Sequence, residues 1–364
     1  MVNRMVVNNL ARRPVRTALS MLAVLIEVVL IISVVGLVRG LLDEGARRQQ
    51  GIGADIVVQP PGASVFMGLS SAAMPVKIGD VLGQVPGVTA VTPVYFQSFG
   101  GLTLAYGIDS ESFRAVSGGF QVLQGRTIQG GREVMVDDVY AAENKVKVGG
   151  TRELWGRDFA VVGIVEHGKG ARLFVPLATV QQLAGSQGKA SIFYVRLAGP
   201  SDLAPVLARF KSMLPGYNIR SMEEMTSLMM AGNLPGVKPF EHIMIAIAVV
   251  IGFLVIFLAM YTTVLERTRE IGILKSLGAS KAYIVNVILR ETVLVALAGI
   301  ALGVGASLLL RHVVVQNFRT LAILITPGWL LRASLIALGG ALLGAFYPAL
   351  RAARQDPIEA LAYE

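Results

Sequence analysis

The 364-residue chain contains no cysteine, which removes disulfides, thiol catalysis and thiolate metal sites together. Histidine is nearly absent: His167, His242 and His312 are the three imidazoles, and they are scattered over separate segments. No partner stands at ligand spacing from any of them, so a zinc site or a metalloprotease has nothing to rest on. Charge is also scarce. Charged residues make up 16% and hydrophobic residues 54%, with a mean hydropathy of +0.62, whereas soluble domains carry about 25% charged residues. An ordinary soluble protein is excluded and a membrane protein is expected.

Crossing a hydrocarbon core of about 30 Å takes about 20 helical residues. Four runs meet that length: Thr17–Val38, His242–Thr263, Thr292–Leu310 and Trp329–Tyr347. The first is too long for a signal-peptide core and is read as an uncleaved helix. Residues 39–241 between the first two runs form a mixed segment long enough to be a domain. The fold class is therefore a polytopic membrane protein with four transmembrane helices and a large extracytoplasmic α+β domain inserted between helices 1 and 2. Short cytoplasmic segments collect Lys and Arg. Arg4, Arg12, Arg13 and Arg16 precede helix 1, Arg267, Arg269, Lys275, Lys281 and Arg290 lie in the 264–291 segment, and Arg351 and Arg354 follow helix 4. The 1–16 segment, the 264–291 segment and a C-terminal helix at 348–364 are thus expected in the cytoplasm, with 39–241 and 311–328 outside it. Arg39, Arg47 and Arg48 run against this bias, among Asp43 and Glu44. The net charge of +9 follows from topology, and no nucleic-acid role is read from it.

The stretch Gly163-Ile-Val-Glu-His-Gly-Lys169-Gly170 imitates a phosphate-binding loop. A true one needs a helix directly after its Lys, and Ser or Thr to reach Mg²⁺. Here Gly170 replaces the hydroxyl, and 157–165 and 171–175 read as two strands of a hairpin. The match is accidental.

Other strands are expected near 51–60, 88–96, 101–108, 132–136 and 191–197, and helices near 77–85, 137–144, 177–184, 201–214 and 221–232. Interleaving of this kind indicates α+β. Phe66, Met67, Leu69 and Met74 look exposed. Asp137 and Asp138 sit at a helix start, where acids serve as caps, and no catalytic constellation stands out. Met222, Met225 and Met229 share one helix face. That face admits two readings, packing against a neighbouring helix or a second copy, or a greasy surface for an amphipathic substrate.

Glu27 lies mid-way along helix 1, on a stripe with Thr17, Ser20 and Ala23. An acid there costs about 2.5–3.5 kcal/mol on insertion scales, so it should face protein or water. Four readings follow: a protonated carboxyl, a hydrogen bond to a hydroxyl, a meeting with its own copy in a dimer, or a proton relay, which would ordinarily show further ionisable residues. Gly299 and Gly303 in helix 3 and Gly340 and Gly344 in helix 4 are small-xxx-small rows that suit close helix packing.

In Glu266-Arg-Thr-Arg-Glu-Ile-Gly-Ile-Leu-Lys-Ser-Leu-Gly-Ala-Ser-Lys281, Ile271, Leu274 and Leu277 form an apolar face at spacing three. Gly278 reads as a helix stop and Ser280 as the next cap. The stretch Arg269–Ala279 resembles the signature of FtsX/MacB-type permeases of ABC transporters, a family that includes the lipoprotein-releasing LolC and LolE subunits. Asn9-Leu-Ala-Arg-Arg-Pro-Val-Arg-Thr17 and Tyr347-Pro-Ala-Leu-Arg-Ala-Ala-Arg-Gln-Asp-Pro-Ile-Glu-Ala-Leu361 match the family in the same order, as do Gly53–Val58 and Phe159–Ile164. In the last of these long motifs, Asp356, Pro357 and Glu359 also make a capping-box start.

The resemblance implies a permease without enzymatic activity of its own. It would work as a dimer of identical or related chains with a separate ATPase that binds ATP and Mg²⁺. An accessory periplasmic adaptor and an outer-membrane channel are further partners of such systems. The location implied is the inner membrane, among lipids. Carried over, the ATPase-coupling residues would be Glu266, Arg267, Arg269, Glu270, Ile271, Gly272, Leu274, Lys275, Leu277 and Gly278, with Ile271 and Leu274 as anchors. The extracytoplasmic domain would divide into porter-like ends and an inserted middle of about 110–186. Two functions are weighed: export or extraction of an amphipathic, lipid-like or peptide molecule, and non-transporting signalling to a cell-wall hydrolase or sensor.

Overall fold

The computed structural model describes residues 14–63, 72–98, 104–230 and 237–355. Phe66, Met67, Leu69, the Asn9 motif up to Arg13 and the Asp356–Glu359 cap lie outside them. In chain order the long helix α1 (Pro14–Gln50) is followed by β1 (Ile56–Gln59), β2 (Met74–Pro75), α2 (Lys77–Gly83), β3 (Val88–Ser98), β4 (Leu104–Ile108) and α3 (Ser110–Ser117). Next come β5 (Val122–Gly125), β6 (Glu133–Asp137), α4 (Asp138–Asn144), β7 (Thr151–Leu154), β8 (Arg157–Val165), β9 (Leu173–Pro176), α5 (Leu177–Leu183), β10 (Lys189–Ala190) and β11 (Ile192–Leu197). The chain then forms α6 (Leu203–Met213), β12 (Asn218–Ser221), α7 (Met222–Met230), α8 (Val237–Glu266), α9 (Thr268–Ser276), α10 (Lys281–Asn317) and α11 (Pro327–Arg354). Four of these, α1, α8, α10 and α11, are long and apolar enough to cross a membrane. The protein is a four-span membrane protein with an α+β domain between its first and second spans. Two compact units result, a helical bundle and an interhelical domain of Gly40–Pro235 joined by Asn317–Ala322.

In the bundle, α1 buries Val24, Glu27, Val28, Ile31, Ile32 and Val35 on one face and leaves Leu19, Leu22, Ile26 and Leu30 outward, the arrangement expected when lipid covers the outer side. Helix α11 buries alanine at every fourth position from Ala333 to Ala349, which permits close backbone approach. A Cβ placed on Gly344 would lie 2.8 Å from the Phe253 carbonyl oxygen, and one on Gly299 or Gly303 would stand 2.7 or 2.8 Å from Cβ of Val24 or Val28. The glycine rows therefore sit at the α11–α8 and α10–α1 contacts.

Among the described residues of the interhelical domain, one ten-stranded sheet runs in the order β12-β1-β11-β3-β4-β9-β6-β8-β5, with β7 also on β8. The sheet is continuous between strands from the two ends of the domain and strands from its middle. Side chains alternate between its faces, as the pleat requires. On β4, β9 and β6, Tyr106, Ile108, Phe174 and Met135 point to one face, with Phe113 and Val116 of α3. Ala105, Leu173, Val175, Val134 and Val136 point to the other, with Tyr140 of α4 and Val180 of α5. Two expectations are corrected. Strands β8 and β9 are not a hairpin, because β6 lies between them, parallel to β8 and antiparallel to β9. Met74 is buried, in β2 against β10.

Candidate functional site

Helix α9 follows α8 after a single residue, Arg267, and ends before Gly278, whose φ of 93° is left-handed backbone that favours glycine. Ser280 then caps α10, its Oγ accepting from the Tyr283 N–H at 3.1 Å. The inner face of α9 is fixed to its own bundle. Ile271 is buried with Val264, Ile284, Ala352 and Ala353, and Gly272 is buried beside it. Arg267 Nη1 lies 3.1 Å from the Glu291 carboxylate of α10, with 12% and 7% of the two side chains exposed. Lys275 Nζ donates to the Ala353 carbonyl at 3.1 Å and to that of Gln355, closing the C-terminal end of α11. Arg351 adds a hydrogen bond to the Tyr261 hydroxyl and lies 5.0 Å from its ring.

Of the residues implied as ATPase contacts, Arg267, Ile271, Gly272 and Lys275 are therefore engaged inside the chain. Leu274 is half-buried over a small cavity of about 50 Å³ whose lining includes the Arg267–Glu291 pair. Glu266, Arg269, Glu270, Leu277 and Gly278 are exposed, and Leu277 is 80% exposed. Ile273, which the spacing-three stripe leaves out, is 44% exposed. Glu291 was missed because it stands at the edge of an apolar run, where acids are commonly snorkelling ends; its burial is a tertiary fact.

Glu27 is 2% exposed. It lies among its own helices: a Cβ on Gly252 of α8 would run into its carboxylate, and one on Gly340 of α11 would stand 3.5 Å from Oε1. Among the described residues neither carboxylate oxygen has a hydrogen-bond partner, and the acid occupies a slot within its own bundle. Gly252 was not singled out, because no glycine stands four positions away to make a row. Further along, the Arg39 guanidinium makes a two-armed contact with the buried Glu241 carboxylate at 3.1 and 3.3 Å and lies 4.7 Å from the Trp329 ring.

Met222, Met225 and Met229 are buried within the interhelical domain. Met222 belongs to the sheet core, and the Met229 methyl stands 3.1 Å from where a Cβ on Gly45 would be. The face is packing, not an open substrate surface.

The last turns of α1 are bound into this domain by a polar cluster. Gln49 donates to the Tyr106 hydroxyl and accepts from that of Tyr194, each at 2.7 Å, and all three are buried. Burial pushes both phenols up from their ordinary values. Arg172 lies 3.0 Å from Asp137 and 3.4 Å from Glu44. Asp137 also caps α4, accepting from the Tyr140 N–H at 2.6 Å; desolvation raises its carboxyl while Arg172 opposes the rise. The phosphate-loop lookalike has a structural task here. The Gly170 N–H donates to the Arg48 carbonyl at 2.8 Å, and Lys169 Nζ donates to the Ser117 carbonyl at 2.6 Å.

Residues 17–213, over half the chain, match the family model of the MacB-like periplasmic core domain, and residues 242–357 match that of the FtsX-like permease C-terminal region. The chain belongs to the FtsX/MacB family of ABC transporter permeases. It is 25% identical over 388 aligned positions to the macrolide export ATP-binding/permease protein MacB of Pectobacterium atrosepticum, covering 96% of this chain and 58% of that one. The Escherichia coli K12 protein of the same name is 26% identical over 403 positions, covering 98% and 59%. The chain thus spans about three fifths of the length of these relatives. The periplasmic region of MacB from Actinobacillus actinomycetemcomitans aligns with 50% of this chain and 94% of its own, at 18% identity and a TM-score of 0.39.

Proposed function

We propose that this chain is the permease component of an ABC transporter whose ATP hydrolysis takes place in a separate partner subunit. The partner's motion reaches the interhelical domain through the helices, and the substrate exported or extracted is amphipathic, lipid-like or peptidic. The relatives' name, macrolide export, supports an amphipathic small molecule within that range. The observation that carries the reading is the division of α9. Its inner face is held by the Ile271 cluster, with the Arg267–Glu291 pair at its start, and its outer face leaves Ile273 and Leu277 uncovered beside Arg269 and Glu270. Uncovered apolar anchors ringed by charge suit a protein partner. That face docks the ATPase on the cytoplasmic side, where ATP and Mg²⁺ are held by the partner, while a second permease copy completes the assembly. Both termini are cytoplasmic in this arrangement. A periplasmic adaptor and outer-membrane channel complete the route where the envelope has an outer membrane.

The test is mild-detergent purification of the tagged chain from its host, with mass spectrometry of what accompanies it. Native chain should bring down an ATPase, and Ile273→Asp with Leu277→Asp should lose it while remaining folded. An ATPase retained by that double variant, or absent from the native preparation, removes the docking role of α9.

A further inference from the structure

Strands β4 and β9 are parallel neighbours, paired from Ala105↔Leu173 to Ile108↔Pro176. The helices that follow them leave in opposite directions: α3 after β4 packs on the Tyr106 face of the sheet, and α5 after β9 packs on the Ala105 face. Adjacent parallel strands whose connections part to opposite faces leave a crevice outside their carboxyl ends, and ligands of α/β sheets bind in such crevices. A cavity of about 980 Å³ lies at that position, lined from both turns, within the size range of small-molecule sites. Its floor includes the apolar Ile108, Phe120, Ile128 and Met135. At its mouth stand the carboxylates of Asp109 and Glu111 and one guanidinium, Arg114, all exposed. Asp109 Oδ2 accepts from the Ser112 N–H at 2.9 Å, and among the described residues neither carboxylate has a cationic partner.

We propose that this crevice is a binding site for a small amphipathic molecule carrying a basic amine. The apolar floor takes the body of such a molecule, and the mouth, with two carboxylates against one guanidinium, takes its cation. The crevice lies wholly in the interhelical domain; the inference deepens the proposed function, whose docking face on α9 is tested separately.

The experiment uses the full chain in lipid nanodiscs, without ATP or partner, titrated with dansylcadaverine, an aromatic body bearing a primary amine; uncharged dansylamide is the control, and empty nanodiscs give the lipid background. A saturable fluorescence rise above that background is expected. It should be lost in Gly130→Trp, where an added side chain enters open space in the lining, and in Ala178→Trp from the opposite wall. Glu111→Gln, a substitution at an exposed position, should weaken the amine about tenfold and leave dansylamide unchanged. A rise no greater than that of empty nanodiscs, or a saturable component that survives either folded Trp variant, overturns the site. If both Trp variants fail to fold, equal binding by native chain and Glu111→Gln overturns it. Failure here leaves the ATPase pull-down standing, and the reverse holds.

Discussion

At Gly252 a methyl group can enter only if the Glu27 carboxylate shifts, because that carboxylate occupies the space a Cβ would take. Gly252→Ala should therefore lower stability by about 1–3 kcal/mol through overpacking, read as thermal unfolding of the chain in detergent. Glu27→Ala removes the obstructing group, so the double variant should recover most of that loss, with a coupling energy of the sign expected for contacting residues. Additive effects would show that the slot is not closed in solution. A second residue-scale case lies in the loop beside the crevice. Glu133 accepts from Arg126 Nη1 at 3.0 Å and from the Gln129 N–H at 2.8 Å, and its carboxyl is held at about 2, chiefly by the Arg126 hydrogen bonds. Its folded value lies below the ordinary one of about 4.3, so its contribution is full above the ordinary value and is lost as pH falls toward 2. Amide exchange at Gln129, referenced to an unstructured peptide, should keep its protection at pH 5 and lose it as pH falls through about 2. Glu133→Gln should lack that protection already at pH 5.

At the scale of elements, the spacing of Ile271, Leu274 and Leu277 marked a helix and its apolar stripe, yet it could not say what covers the stripe. A face buried by its own bundle and a face awaiting a partner have the same periodicity. The structure separates them: Ile271 is 7% exposed and Ile273 44%. Ile271→Ala should cost about 2–4 kcal/mol as a core truncation, whereas Ile273→Ala should leave the melting temperature within a degree or two and weaken ATPase co-purification instead. If both variants melt like the native chain, the inner face is not packed as described. The strands show the same limit. Arg157–Val165 was legible from its alternating run, but the insertion of β6 between β8 and β9 was not, because sheet order is set by non-local pairing and the connecting turn carries no mark of it. Helix α3 was overlooked because its apolar residues, Phe113 and Val116, are too few to form a periodic run.

For the whole molecule the decisive element is α1, a single helix that belongs to the bundle as far as Arg39 and to the interhelical domain from Gly40. Hydropathy marked an end at Val38, since the turns beyond it are largely polar; of their polar residues Gln49 is buried against Tyr106 and Tyr194, and Glu44 is half-buried beside the Arg172–Asp137 pair. Under the proposed function, displacement of α1 along its axis would load those contacts. Gln49→Leu removes two of them while keeping the side chain's bulk, at a cost of about 1–3 kcal/mol for the buried hydrogen bonds lost. Under the proposed function, this variant should still co-purify with the ATPase and sustain its hydrolysis, because α9 is untouched, while substrate export in reconstituted vesicles falls several-fold. Unchanged export at reduced thermal stability would mean that the root of α1 holds the domain together without carrying the motion.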